Sequence, residues 1–76
     1  MSYPLTPYQI TVWKLSGRDD AVESKTECYA ATEWACIELF DMLTRGIRGH
    51  YRAWIVDIRD NRTVRESSVC YNSVGN

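Results

Sequence analysis

The stretch TEWACIELFDMLTRG, residues 32 to 46, constrains this chain most. Its apolar residues recur at helical spacing, and it carries a start and a stop signal. Thr32 reads as the N-cap, and Glu33 falls in the first turn, where negative charge suits the helix dipole. Arg45 falls in the last turn, and Gly46 reads as the C′ stop. Ala35, Cys36, Leu39, Phe40 and Leu43 share one face, with Glu38 and Asp41 opposite. The flanking segments on both sides read as strands. One helix can cover only one face of one sheet, so these strands must present a second face that the helix cannot reach.

YQITVWKL (8–15) is rich in β-branched and aromatic residues and reads as the first strand. SGRDD (16–20) is turn chemistry. AVESKTECYA (21–30) alternates Val22, Ser24, Thr26, Cys28 and Ala30 against Glu23, Lys25, Glu27 and Tyr29, the pattern of a half-wet strand. The same stretch also admits a helix: Ser24 and Glu27 spell a capping box, and Cys28, Ala31, Ala35, Leu39 and Met42 have helical spacing. The short turn before it favours a hairpin with the first strand. HYRAWIVDIR (50–59) is the strongest strand, DN (60–61) fits a two-residue hairpin turn, and RTVRESSVCY (62–71) returns.

The expected fold is α+β, in the order ββαββ: a four-stranded antiparallel sheet with one helix packed on one face. The alternative is βαββ with a long helix from about residue 25. Residues 1–76 make one domain, with 1–7 as an N-terminal arm and 72–76 as a flexible tail. A chain this short buries only about 60% of its unfolded surface, so its core is small.

The uncovered face should be polar, as on most half-exposed antiparallel sheets. Here both strand phases are apolar. Trp54, Val56 and Ile58 lie in one phase of the third strand, and Tyr51, Ala53 and Ile55 in the other. In the first strand Ile10 and Val12 oppose Trp13 and Leu15. Two readings stay open. Either some of Trp13, Trp54 and Tyr51 form an exposed aromatic patch flanked by arginine, or the N-terminal MSYPLTP folds back over them. A patch of that kind marks a protein partner or a homodimer.

Hydrophobic residues at 45% and charged residues at 25% exclude wholesale disorder. No apolar run approaches the roughly 20 residues of a membrane span, and the N-terminus shows no signal-peptide pattern. Cys28, Cys36 and Cys70 are an odd count without paired spacing, which fits reduced thiols and a cytoplasmic setting better than a disulfide scaffold.

No catalytic residue is expected. His50 is the single histidine, and its glycine-flanked position reads as a solvated loop rather than half of a Cys–His pair. A metal site is not expected either, because the cysteines lack a close ligand pair. Asp19-Asp20 is turn chemistry, and no cofactor is implied. GIRG (46–49) matches the G-x-x-G loop that clamps nucleic-acid backbones, but that loop joins two helices and here a strand follows.

Charge is segregated along the chain. From Asp19 to Asp41 there are seven acids and one base, Lys25; from Arg45 to Arg65 there are six arginines and two acids, Asp57 and Asp60. Arginine forms planar paired hydrogen bonds and stacks on aromatics, so it suits specific recognition. The bland alternative is that Arg59 and Arg65 pair with Asp57, Asp60 and Glu66 across the hairpin. The candidate partner-binding residues are Arg45, Arg48, Arg52, Trp54 and Arg62 from the basic segment and Glu33 and Glu38 from the acidic one. Net charge of −1 lacks the basic excess of a nucleic-acid binder. A protein surface with both signs of charge therefore ranks above a nucleic-acid partner, and a membrane is not expected.

A short ββαββ unit over residues 8–71, with a mixed aromatic and charged surface, resembles the small anti-CRISPR proteins of phages and mobile elements. The resemblance is one of size and architecture and transfers no residue roles. It implies a phage-encoded inhibitor in the host cytoplasm that binds a subunit of a CRISPR surveillance complex and blocks DNA access or nuclease recruitment. The near-neutral charge departs from DNA mimicry and leaves direct blocking. The alternative is a small nucleic-acid-binding module using Arg45, Arg48, Arg52 and Arg62 on phosphates, with Trp54 or Tyr51 stacking on bases.

Overall fold

The computed structural model describes residues 5–19 and 21–69. Its elements run β1 (Tyr8–Leu15), β2 (Val22–Ala30), α1 (Glu33–Arg45), β3 (Tyr51–Asp57) and β4 (Arg62–Val69). The strands form one antiparallel sheet in the order β2-β1-β3-β4, so the first strand is central and pairs with both β2 and β3. This is the expected ββαββ arrangement, and residues 22–30 are strand rather than helix. Cys70, Tyr71, Asp20, the first four residues of the arm and the tail lie outside the described residues.

The first hairpin closes as its turn residues dictate. Ser16 N–H donates to the Ala21 carbonyl at 2.8 Å. The Ser16 hydroxyl accepts from Arg18 N–H, and the Asp19 carboxylate accepts from Ala21 N–H. These are the side-chain turns that Ser and Asp form with their own backbone. A bulge follows: Lys14 pairs with Ser24 and Leu15 with Val22, leaving Glu23 over.

The helix starts as its sequence requires, with Thr32 Oγ1 accepting from Ala35 N–H at 3.1 Å and Thr32 itself extended. The helix ends at Arg45 with Gly46 next, where the sequence put its stop, but not through a left-handed glycine there. Gly46 is right-handed (φ −84°), and the left-handed glycine is Gly49 (φ +102°). The chain leaves the helix through a tight turn, with Ile47 N–H donating to the Thr44 carbonyl, and reverses only at Gly49.

One face of the sheet meets the helix. Ile10, Val12, Ala53 and Ile55 point into it, with Tyr8 and Ala30 at one end, against Cys36 and Phe40. Ile10, Ile55 and Cys36 are fully buried. Ala35, Leu39 and Leu43 pack at the margin as the helical spacing predicts, and Ile37 joins them from the other flank.

The second hairpin corrects the end of the third strand and with it the loop length. β3 ends at Asp57 rather than Arg59, and the loop is four residues, 58–61, rather than two. The cause is Asp57. Its carboxylate accepts from Arg59 N–H at 3.1 Å, from Arg59 Nε at 3.0 Å and from Arg59 Nη2 at 2.8 Å, which starts the turn two residues early. Asn61 then supplies the left-handed residue (φ 57°) that the longer loop needs. The same guanidinium donates to the Tyr8 hydroxyl at 3.1 Å and lies over the Tyr8 ring at 5.4 Å. Asp57, although charged, is therefore almost wholly buried. The Arg59 bonds hold its pKa down to about 2, against a smaller opposing effect of burial.

Two stability experiments follow. Phe40→Ala should cost about 3–5 kcal/mol, a large share of the roughly 4–11 kcal/mol expected for 76 residues. Urea unfolding should show the midpoint falling with the slope unchanged. Asp57 has a lower pKa folded than unfolded, where about 3.9 is usual. Its stabilisation is therefore complete above the unfolded value and lost as pH falls through the folded one. Asp57→Asn should melt well below the parent at neutral pH, and the gap should close between about pH 4 and pH 2, as read by thermal melts across that range.

Candidate functional site

The side of the sheet away from the helix is laid out by the strand registers. One row across the strands reads Tyr29, Gln9, Val56, Thr63; the next reads Glu27, Thr11, Trp54, Glu66; the third reads Lys25, Trp13, Arg52, Ser68. Successive side chains alternate faces, so all twelve stand on the face the helix leaves open.

The centre of this face is aromatic. Trp13 and Trp54 sit diagonally across β1 and β3 and pack edge to face, ring centroids 5.0 Å apart at 75°. Thr11, between them in the lattice, is buried. Lys25 Nζ lies 5.0 Å from the Trp13 ring centroid, a cation–π contact from the β2 side. Arg52 is the cross-strand neighbour of Trp13, and Arg52, Trp54, Glu66 and Ser68 line a shallow hollow toward β4. On the opposite side Glu27 accepts a hydrogen bond from Gln9 Nε2, and Gln9 also reaches the Tyr29 hydroxyl. The face is thus a tryptophan pair with Lys25 and Arg52 in one row and Glu27 and Glu66 in the next.

The N-terminal arm does not cover this face with residues 5–7. Leu5 is 91% exposed. Pro7 continues the line of β1 along β3, its carbonyl accepting from Ile58 N–H at 2.9 Å.

The seven residues singled out from the sequence fall in four places. Arg52 and Trp54 stand together on the open face. Glu33 and Glu38 are exposed on α1. Arg45, at the end of α1, and Arg48, in the loop after it, are exposed at the β3-start end of the sheet. Arg62 begins β4 at the opposite end, 3.8 Å from Asp60. The six arginines of the basic segment are therefore no single patch. Arg59 is taken by Asp57, and Arg65 reaches across to Asp41 of the helix at 3.1 Å rather than pairing within the hairpin.

Sequence reasoning missed Lys25, Glu27 and Glu66, the charges that frame the tryptophans. Their signal was the strand alternation, which needed the register to become a location. It also missed Trp34 and Met42, exposed on the outer line of α1 with Glu38 between them. Their i, i+4, i+8 spacing was legible in the helical pattern.

The thiols and the histidine are placed quietly. Cys36 Sγ donates to the Glu33 carbonyl at 3.1 Å. Burial, reinforced by the Glu33 charge, pushes its pKa up, the reverse of an activated nucleophile. His50 is half-buried rather than solvated, with its carbonyl accepting from Leu15 N–H at 2.9 Å. Among the described residues no three His, Cys, Asp or Glu side chains stand close enough to share a metal ion, and no helix is long and apolar enough to cross a membrane.

The chain matches no protein-family model, no curated protein and no solved structure.

The tryptophan pair can be measured directly. A double-mutant cycle on Trp13→Ala and Trp54→Ala should return a coupling of about 0.5–1.5 kcal/mol in urea unfolding. Additive losses would mean that the two rings stand independently.

Proposed function

We propose that this chain is a non-catalytic binding domain that sets its open sheet face against another protein. The observation that carries the reading is the Trp13–Trp54 pair, held edge to face on the uncovered side of the sheet. Such a pair is a rigid aromatic anchor of the type that dominates binding at interface centres. Its surroundings favour a protein over a nucleic acid. Glu27 and Glu66 lie one row from Lys25 and Arg52, so a phosphate backbone attracted by one row meets repulsion from the next. The matching partner surface has an apolar centre bordered by both signs of charge. The protonated, buried Cys36 supports the non-catalytic half of the reading.

The resemblance to small anti-CRISPR proteins gives this reading its specific form: an inhibitor that occupies a subunit of a CRISPR surveillance complex. The partner is then a bacterial protein and the setting the host cytoplasm.

Tagged chain should capture a partner from bacterial lysate after nuclease treatment, in stoichiometric amount. Trp13→Ser with Trp54→Ser should lose that partner by tenfold or more, roughly the 1.4 kcal/mol or greater expected of a hot spot. Reversing Glu33 and Glu38 on the helix to lysine should leave it bound. Capture abolished by nuclease, or falling steeply with salt, would give the nucleic-acid alternative instead.

A further inference from the structure

The outer strands of the sheet are β2 and β4. Among the described residues, each leaves one row of backbone N–H and C=O groups without a strand partner, a template for another strand. The two edges differ in what they could pair with.

The direction of the free groups on β2 follows from one hydrogen bond. Leu15 N–H donates to the His50 carbonyl, so Leu15 faces β3. Backbone groups alternate along a strand, so Trp13, Thr11 and Gln9 also face β3, while Lys14, Val12, Ile10 and Tyr8 face β2. Their partners Ser24, Thr26, Cys28 and Ala30 face back toward β1. The backbone groups of Lys25, Glu27 and Tyr29 therefore point outward, away from the sheet.

Thr26 is the midpoint of the nine residues Val22–Ala30. An antiparallel pairing of β2 with a second β2, about a two-fold axis at Thr26, matches Lys25 with Glu27 twice. It also matches Ser24 with Cys28, and the regular ladder ends at the Glu23 bulge. The outward-facing Lys25 and Glu27 fall in hydrogen-bonded positions, as the ladder requires, and Thr26 meets its copy at a non-hydrogen-bonded position. Each Lys25 side chain then stands across from a Glu27 carboxylate on the same face. Moving the axis by one residue loses this. At Lys25 it sets lysine against lysine and Glu23 against Glu27; at Glu27 it sets glutamate against glutamate.

β4 offers no such match. Its bulge opposite Ile55 and Val56 interrupts the ladder. An axis at Glu66 or Arg65 opposes like charges, one at Ser67 pairs Glu66 with Ser68 and Arg65 with Val69, and one at Val64, which would set Arg62 against Glu66, falls on the bulge itself. β2 has its own bulge at Glu23, near the hairpin end and clear of residues 24–28. On the helix side, Leu43 and Ile47 overhang a hollow lined by Ser24 and Thr26 at this same edge.

We propose that two copies of this chain join edge to edge through β2, antiparallel about a two-fold axis at Thr26. The product is one continuous sheet with both helices on one side and both tryptophan pairs on the other. The charges on β2 that discourage indiscriminate strand addition here select one register and one partner, a second copy. The inference does not rest on the protein-binding reading. Where that reading holds, the dimer doubles its surface.

The test is light scattering on a sizing column across a concentration series. The parent chain should give a dimer mass that falls on dilution. Lys25→Glu alone and Glu27→Lys alone should each weaken the dimer about tenfold or more, since two attractions become repulsions. The double swap, Lys25→Glu with Glu27→Lys, should restore it. Circular dichroism checks that each variant keeps the fold. In a Cys28→Ser, Cys70→Ser background, Thr26→Cys should oxidise to a covalent dimer. Facing residues at such a position are about 4.5 Å apart, within disulfide reach. Ser68→Cys on β4 should not. A monomer at the highest soluble concentration overturns the proposal. So does a dimer unmoved by both single reversals, or one that the double swap fails to restore.

Discussion

One helix of thirteen residues has to cover a four-stranded sheet. The helix is about 20 Å long, and the eight residues of β1 span about 27 Å. That is enough to seal Ile10, Val12, Ala53 and Ile55, with Tyr8 and Ala30 at one end, against Cys36 and Phe40 on one face of the sheet. The other arrangements in the molecule follow from this shortage. The far side of the sheet keeps its apolar side chains, so they protect one another: Trp13 against Trp54, Lys25 over Trp13, Thr11 beneath them. Among the described residues no strand pairs with the outward edge of β2.

The direction of the helix then distributes the charges. α1 begins beside the row Ala30, Tyr8, Asp57 and ends near Lys14 and Tyr51. Glu33 falls at its positive end and Arg45 at its negative end, where each is stabilising. Glu33 of the acidic stretch and Arg45 of the basic one thus take opposite ends of the helix, whereas the sheet rows mix the two stretches, Lys25 standing with Arg52 and Glu27 with Glu66. Arg59 and Arg65 act as internal fasteners, one closing the β3–β4 turn on Asp57 and the other tying β4 to the helix through Asp41. Arg52 is the arginine the fold places beside the aromatic centre.

Much of this was legible from residue order. Helix 33–45 carried its own cap, and the first turn its own Ser and Asp acceptors. The doubled apolar phase of β1 and β3 left two readings, an exposed aromatic patch or one covered by the N-terminal arm, and residues 5–7 do not cover it. What was not legible was long-range. Nothing local says that β1 is central, and only that placement brings Trp13 next to Trp54. Asp57 sits in a run that reads as uninterrupted strand, and its bonds to Arg59 end the strand there. The bulge near Val64 and Arg65 is likewise set by pairing rather than by local propensity, and it turns both toward the helix side. Gly46 was the nearer glycine, but the turn at Ile47 delays the left-handed step to Gly49.

The central claim is that the open sheet face, rather than the exposed line of Trp34 and Met42 on the helix, is the working surface. The three tryptophans make this separable in one measurement: hydroxyl-radical footprinting of the chain alone and in its captured complex, read at each tryptophan by mass spectrometry. The account predicts that Trp13 and Trp54 lose reactivity in the complex while Trp34 keeps it. Protection of Trp34 with Trp13 and Trp54 unchanged would contradict it and move the interface to the helix.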